Sequence, residues 1–241
     1  MNVLEHTTIG EYVAKDFRTA AVFSKYGIDF CCKGNRTIEE ACEKKSLNFA
    51  QIENEVVQLL ETKSDGAIDF KSWPTDLLID YIEKTHHRYV EEKSMVLLPF
   101  LDKLCKVHGQ SHPELFEINE LFQGCAGELA QHMKKEELIL FPFIKKMENA
   151  LRTGQEIEQP HFGTVENPIA MMQDEHVTEG ERFEKIAVLT NNYLPPSDAC
   201  NTYKVTFSML QEFEQDLHKH IHLENNILFL KAIEMQKRFT V

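Results

Sequence analysis

No stretch of the sequence approaches the ~20 consecutive apolar residues that cross a bilayer, and residues 1–10 carry neither a basic segment nor an apolar one. The expectation is a soluble, cytoplasmic protein with no membrane partner. Glycine and proline are scarce, 10 and 8 in 241 residues, whereas an all-β sandwich of this length needs many turn residues. That scarcity points to helix. No cysteines have C-x-x-C spacing, and two of the six, Cys31 and Cys32, are neighbours in the chain, which suits a reducing compartment better than a disulfide framework. Basic residues are outnumbered 26 to 39, leaving a formal charge of −13. Such an excess repels phosphate backbones and anionic lipid, so a nucleic-acid partner is not expected.

What is present reads as a series of helix starts and stops. Thr8 with Glu11 and Thr37 with Glu40 are capping boxes, and Asn48 with Gln51 resembles a third start. Ile9, Val13, Phe17, Ala20 and Phe23 recur at helical spacing up to Gly27, which predicts one helix over about 8–26. A polar stretch follows Leu60, and after Pro74 the pattern becomes four long helices over about 75–107, 114–150, 167–192 and 198–237. The expected organisation is a small helical N-terminal domain over 1–62, a linker over 63–73 and an antiparallel four-helix bundle over 74–241.

An internal repeat lies in the second and fourth of these helices. At an offset of 88 residues, Leu129, His132, Glu136, Ile139, Leu140 and Phe141 meet identical residues at Leu217, His220, Glu224, Ile227, Leu228 and Phe229. Each copy holds His-x-x-x-Glu, which puts imidazole and carboxylate on one helical face. The apolar residues around each pair turn that face inward, and a buried carboxylate is costly unless paired or metal-bound. His86, on the stripe of Leu78 and Ile82, and His176, on that of Ile169 and Met172, complete four histidines and two carboxylates. His87 is the alternative to His86 but lies further round the helix from Leu78, Ile82 and Tyr89. The set suits two transition-metal ions with bridging carboxylates, and redox-active di-iron is the natural assignment. Against it stands the ordinary reading of His-x-x-x-Glu as a solvated i,i+4 pair.

The other histidines, His6, His108, His112, His161, His218 and His222, fall in loops or on other faces and are not expected to bind metal. Glu128, one turn before His132, and Glu175, next to His176, are candidates to hydrogen-bond a ligand or carry a proton. Cys31 and Cys32 lie in a glycine-framed loop with Lys33 and Arg36 nearby, where a lowered thiol pKa would allow a redox role. Cys42, Cys105, Cys125 and Cys200 read as small core residues.

The sequence resembles the iron–sulfur cluster repair di-iron family of the RIC or ScdA type, which is hemerythrin-like. The resemblance rests on Tyr26-Gly27-Ile28-Asp29-Phe30-Cys31-Cys32, Thr85-His86-His87, Lys106-Val107-His108-Gly109, His132-Met133-Lys134-Lys135-Glu136-Glu137, Asp174-Glu175-His176 and His220-Ile221-His222-Leu223-Glu224-Asn225-Asn226. It implies two non-haem iron ions, oxo-bridged, on His86, His132, Glu136, His176, His220 and Glu224. It implies repair of clusters damaged by nitric oxide or oxidants, by iron donation or nitric oxide handling, with damaged iron–sulfur proteins as partners and a homodimer as a candidate assembly. Phe23, Tyr26 and Phe30 would supply that contact, although core packing explains them equally well. The alternatives are an oxygen- or nitric oxide-binding sensor and a nitric oxide reductase.

Overall fold

The computed structural model describes residues 7–62 and 68–239. His6 and most of the polar stretch after Thr62 therefore lie outside the described residues. Among those described, the regular structure is helical and no strand forms, apart from one isolated antiparallel bridge between Thr8 and Thr37. No helix is long and apolar enough to cross a membrane. Chain contacts group the protein into two compact units, residues 1–78 with 221–241, and residues 79–220.

The first unit holds α1 (Ile9–Lys15), α2 (Thr19–Lys25), α3 (Ile38–Lys45) and α4 (Phe49–Glu61). Both capping boxes form: Thr8 Oγ1 accepts the Glu11 amide while Glu11 Oε2 accepts the Thr8 amide, and Thr37 and Glu40 do the same. Asn48 caps α4 through the Gln51 amide. The expected helix over 8–26 is broken in two, because Asp16 turns to an extended conformation, φ −151° and ψ 106°. The reason is local. Asp16 Oδ1 accepts both the backbone amide and the Nε–H of Arg18 at 3.0 Å, and such side-chain bonds compete with the helical ladder. Phe23 and Phe30 are buried in this unit with Ile9, Val13, Ile28, Ile52 and Val56. The same unit contains α11 (Phe229–Lys237) and a π turn over Glu224–Leu228 against which α1 packs.

The second unit begins within α5 (Thr75–Tyr81) and continues through a π turn over Ile82–His87 into α6 (Arg88–His108). Next come α7 (Glu114–Lys135), a π turn over Glu136–Leu140, α8 (Phe141–Thr153), α9 (Glu166–Leu189) and most of α10 (Asn201–Leu223). The breaks fall where glycine, proline and histidine interrupt the apolar pattern, and Gly154 closes α8 in the left-handed conformation at φ 70°. Helices α6, α7 and α9 pack side by side as part of an antiparallel bundle. Phe122, Phe183 and Phe213 form its aromatic centre, with ring centroids 5.2 and 5.5 Å apart. The internal repeat is structural as well as sequential: the π turns opening at Glu136 and Glu224 span corresponding residues of the two copies.

Candidate metal centre

Burial of charge marks the place. Within the second unit His86, His87, His132, Glu136, His176 and His220 are all buried, and Glu136 exposes no surface. One ligand atom each from His87, Glu136 and His220 lies within 4.8 Å of the others, and the same holds for His132, Glu136 and His176. Glu136 belongs to both groups. Its Oε2 is 3.4 Å from Nε2 of His87 and 3.4 Å from Nε2 of His132. The Nε2 atoms of His132 and His176 stand 3.0 Å apart. Two metal–nitrogen bonds of ~2.1 Å at a right angle give an N···N edge of ~3.0 Å, so these imidazoles have the spacing of neighbouring ligands on one cation.

Carboxylates hold the far sides of three rings. His132 Nδ1 pairs with Glu175 at 2.8 Å, His87 Nδ1 with Glu137 at 3.0 Å, and His86 Nδ1 with Asp216 at 2.9 Å. Such pairing fixes the proton on Nδ1 and leaves Nε2 as the electron-pair donor. Burial works against the Glu137 and Glu175 carboxylates. Lys134 with His87, and Lys135 with His132, nonetheless hold their respective pKa values below the ordinary range.

The structure brings His87, rather than His86, into the cluster. His86 stacks on His220 with ring centroids 5.7 Å apart and stays out of both groups. The expectation for His86 assumed ~100° of rotation per residue throughout. A turn closed by i→i+5 bonds takes in one more residue, and the π turn over Ile82–His87 sets the following position back to where His86 would otherwise stand.

The remaining expected residues divide between the cluster and its surroundings. Glu224 comes one turn after His220 as Glu136 comes one turn after His132, and it is equally buried. Glu175 meets His132. Glu128 touches no ligand: its Oε1 is 2.9 Å from Nη2 of Arg182, and its side chain lines a cavity of about 220 Å³ with His132, His176, Glu175 and Glu179. Sequence reasoning missed Asp216 and Glu137, although the repeat places Asp216 opposite Glu128, and Glu137 adjoins Glu136. Cys31 departs from expectation. The neighbouring thiol of Cys32 and burial push its pKa well above the ordinary value, and neither Lys33 nor Arg36 offsets them.

Residues 78–232 match the hemerythrin HHE cation-binding domain, and residues 5–60 match the ScdA_N domain of unknown function. Along nearly its whole length the chain is also similar to the iron–sulfur cluster repair protein ScdA of Staphylococcus haemolyticus, with 32% identity over 229 residues, 95% of this chain and 99% of the relative. The chain belongs to the iron–sulfur cluster repair family of ScdA and YtfE. A second member, the iron–sulfur cluster repair protein YtfE of Enterobacter sp., is 36% identical over 228 residues, 93% of this chain and 96% of its own. A third, the probable iron–sulfur cluster repair protein of Haemophilus influenzae, is 34% identical over 215 residues, 88% and 90% respectively. The match to the HHE cation-binding domain spans every residue of both buried groups.

Proposed function

We propose that the protein repairs iron–sulfur clusters damaged by nitric oxide or oxidants, using two iron ions held by His87, His132, Glu136, His176, His220 and Glu224. The observation that carries this reading is Glu136, a fully buried carboxylate shared by two imidazole groups. Without a cation such a charge is expensive to bury. With two, the donor set of imidazole and carboxylate is one that iron accepts readily. Glu224 supplies the second carboxylate by the His-x-x-x-Glu spacing it shares with Glu136.

Two iron ions there would supply one-electron redox chemistry and open positions for a small ligand. The chain's own part is to prepare the site. Glu175 and Glu137 keep the Nδ1 protons of His132 and His87, so that both Nε2 atoms face the shared carboxylate. The cavity against His132 and His176 has room for nitric oxide or oxygen, which supports nitric oxide handling alongside iron donation. Iron leaving for a damaged cluster would be cargo, and imidazole and carboxylate release it more readily than thiolate.

Iron-loaded protein mixed with a nitric oxide-damaged [4Fe–4S] enzyme should restore more activity than an equal amount of free ferrous iron. Equal recovery in the two reactions would end the donor reading. Catalytic formation of nitrous oxide by the reduced protein would instead identify a nitric oxide reductase.

A further inference from the structure

The loop between α2 and α3 gathers a second set of ligand atoms. Asp29, Cys31 and Cys32 each place one within 4.8 Å of the other two. Cys31 Sγ is 3.7 Å from Cys32 Sγ and 3.4 Å from Asp29 Oδ1. Tetrahedral metal–sulfur bonds of ~2.3 Å separate two sulfurs by ~3.8 Å, and one such bond beside a metal–oxygen bond of ~2.1 Å gives ~3.6 Å. The observed sulfur–sulfur edge fits the first, and the sulfur–oxygen edge is slightly shorter than the second. A disulfide would need ~2.05 Å, so the two sulfurs stand at the separation of co-ligands and not of a covalent pair.

The loop is held in this arrangement from several sides. Asp29 Oδ1 accepts the backbone amides of Cys31 at 3.0 Å and Cys32 at 2.9 Å. The side-chain amides of Asn225 and Asn226 donate to the Cys31 carbonyl at 3.2 and 3.3 Å, and Asn226 also donates to that of Phe30. Gly34 is required, since a Cβ there would lie 2.4 Å from the Phe30 carbonyl oxygen. Cys31 is buried, whereas Cys32 and Asp29 retain solvent access through which a cation can arrive. A site whose backbone is already fixed spends little ordering entropy on binding.

We propose that Asp29, Cys31 and Cys32 form a metal site distinct from the histidine–carboxylate centre, binding one divalent d-block cation of borderline softness, such as Zn²⁺ or Fe²⁺, through two thiolates and a carboxylate. A fourth position stays open to water or another donor. On binding, each S–H bond breaks, its proton passes to solvent and the sulfur electron pair forms the metal–sulfur bond, so the oxidation states do not change. The neighbouring thiol and burial keep Cys31 protonated in the absence of a cation. Binding therefore has to displace the Cys31 proton, and affinity rises with pH.

Cobalt(II) reports this site alone, because its intense near-ultraviolet charge-transfer absorption comes from thiolate and not from imidazole or carboxylate. Titration of the full-length protein with Co²⁺ should develop that absorption to about one equivalent per chain, and Zn²⁺ should abolish it. Cys32→Ser, at a partly exposed position, should remove the band. Asp29→Asn keeps an oxygen for the two backbone amides and should weaken Co²⁺ binding by at least about tenfold, while Cys200→Ser should change nothing. No thiolate band in the unmodified protein, a band surviving Cys32→Ser, a band lost with Cys200→Ser, or undiminished affinity in Asp29→Asn would each overturn the assignment.

Discussion

The Nδ1 atom of His132 lies 2.8 Å from Oε2 of Glu175, on the side of the ring opposite Glu136. Glu175 also meets Lys135, which holds the carboxylate in its charged form. Partners of this kind fix tautomer and ring orientation and raise ligand basicity. Glu175→Ala should therefore lower metal affinity about 10- to 100-fold without unfolding the protein, since Glu175 is one-third exposed. Competition with a calibrated chelator measures this, and an affinity equal to that of the unmodified protein would remove Glu175 from the machinery.

His86 and His87 provide a sharper comparison. Both are buried and both Nδ1 atoms are carboxylate-bound, so truncation should disturb packing to a similar degree. Only His87 points Nε2 at Glu136. His87→Ala should cost about one bound iron per chain, whereas His86→Ala should keep the full complement. Metal analysis of the two purified variants decides between them, and the reverse pattern would restore His86 to the ligand set.

That comparison also shows where the sequence stops being readable. Apolar periodicity and caps revealed the four long helices and the three side-chain-capped helix starts at Thr8, Thr37 and Asn48, because these signals act within a turn or two, whereas the uncapped start of α2 went unseen. The 88-residue repeat revealed the two His-x-x-x-Glu pairs, since identical residues in identical register survive any packing detail. A π turn leaves no comparable trace. It shifts the phase of the downstream helix by one residue, which brings His87 rather than His86 to Glu136. The break at Asp16 depended on a short-range chelate with Arg18 that periodicity cannot register.

Beside the cluster, Arg182 lies across the backbone of α7 and joins two carboxylates. Its Nε is 3.2 Å from buried Glu179, its Nη2 is 2.9 Å from exposed Glu128, and Gly124 leaves it room, since a Cβ there would lie 1.9 Å from Nη1. Burial raises the Glu179 pKa, while Cys125 and Arg182 oppose that rise. Arg182→Ala would strand the Glu179 charge, and breaking a buried pair in this way typically costs ~3–5 kcal/mol. The double variant Glu179→Gln with Arg182→Met should recover most of the loss. Urea unfolding at neutral pH tests both statements; a small effect in the single variant would mean that Glu179 simply takes up a proton.

Glu214 should impose a pH dependence of its own on stability. Burial raises its pKa to about 7, with Tyr193 opposing the shift, from an ordinary value of 4.5. A carboxyl with a raised folded-state pKa binds its proton more tightly in the folded chain than in the unfolded one. Below about pH 4 both states are protonated and the group has no net effect. As pH climbs toward 7 the unfolded chain ionises first, so the folded state loses ground, and above that range the full penalty persists. Glu214→Gln removes the titration while keeping the shape. Its melting temperature should match that of the parent near pH 4, exceed it increasingly up to about pH 7, and hold a constant advantage beyond. Paired thermal melts across this range measure the difference directly, and an offset that does not vary with pH would show that Glu214 titrates alike in both states.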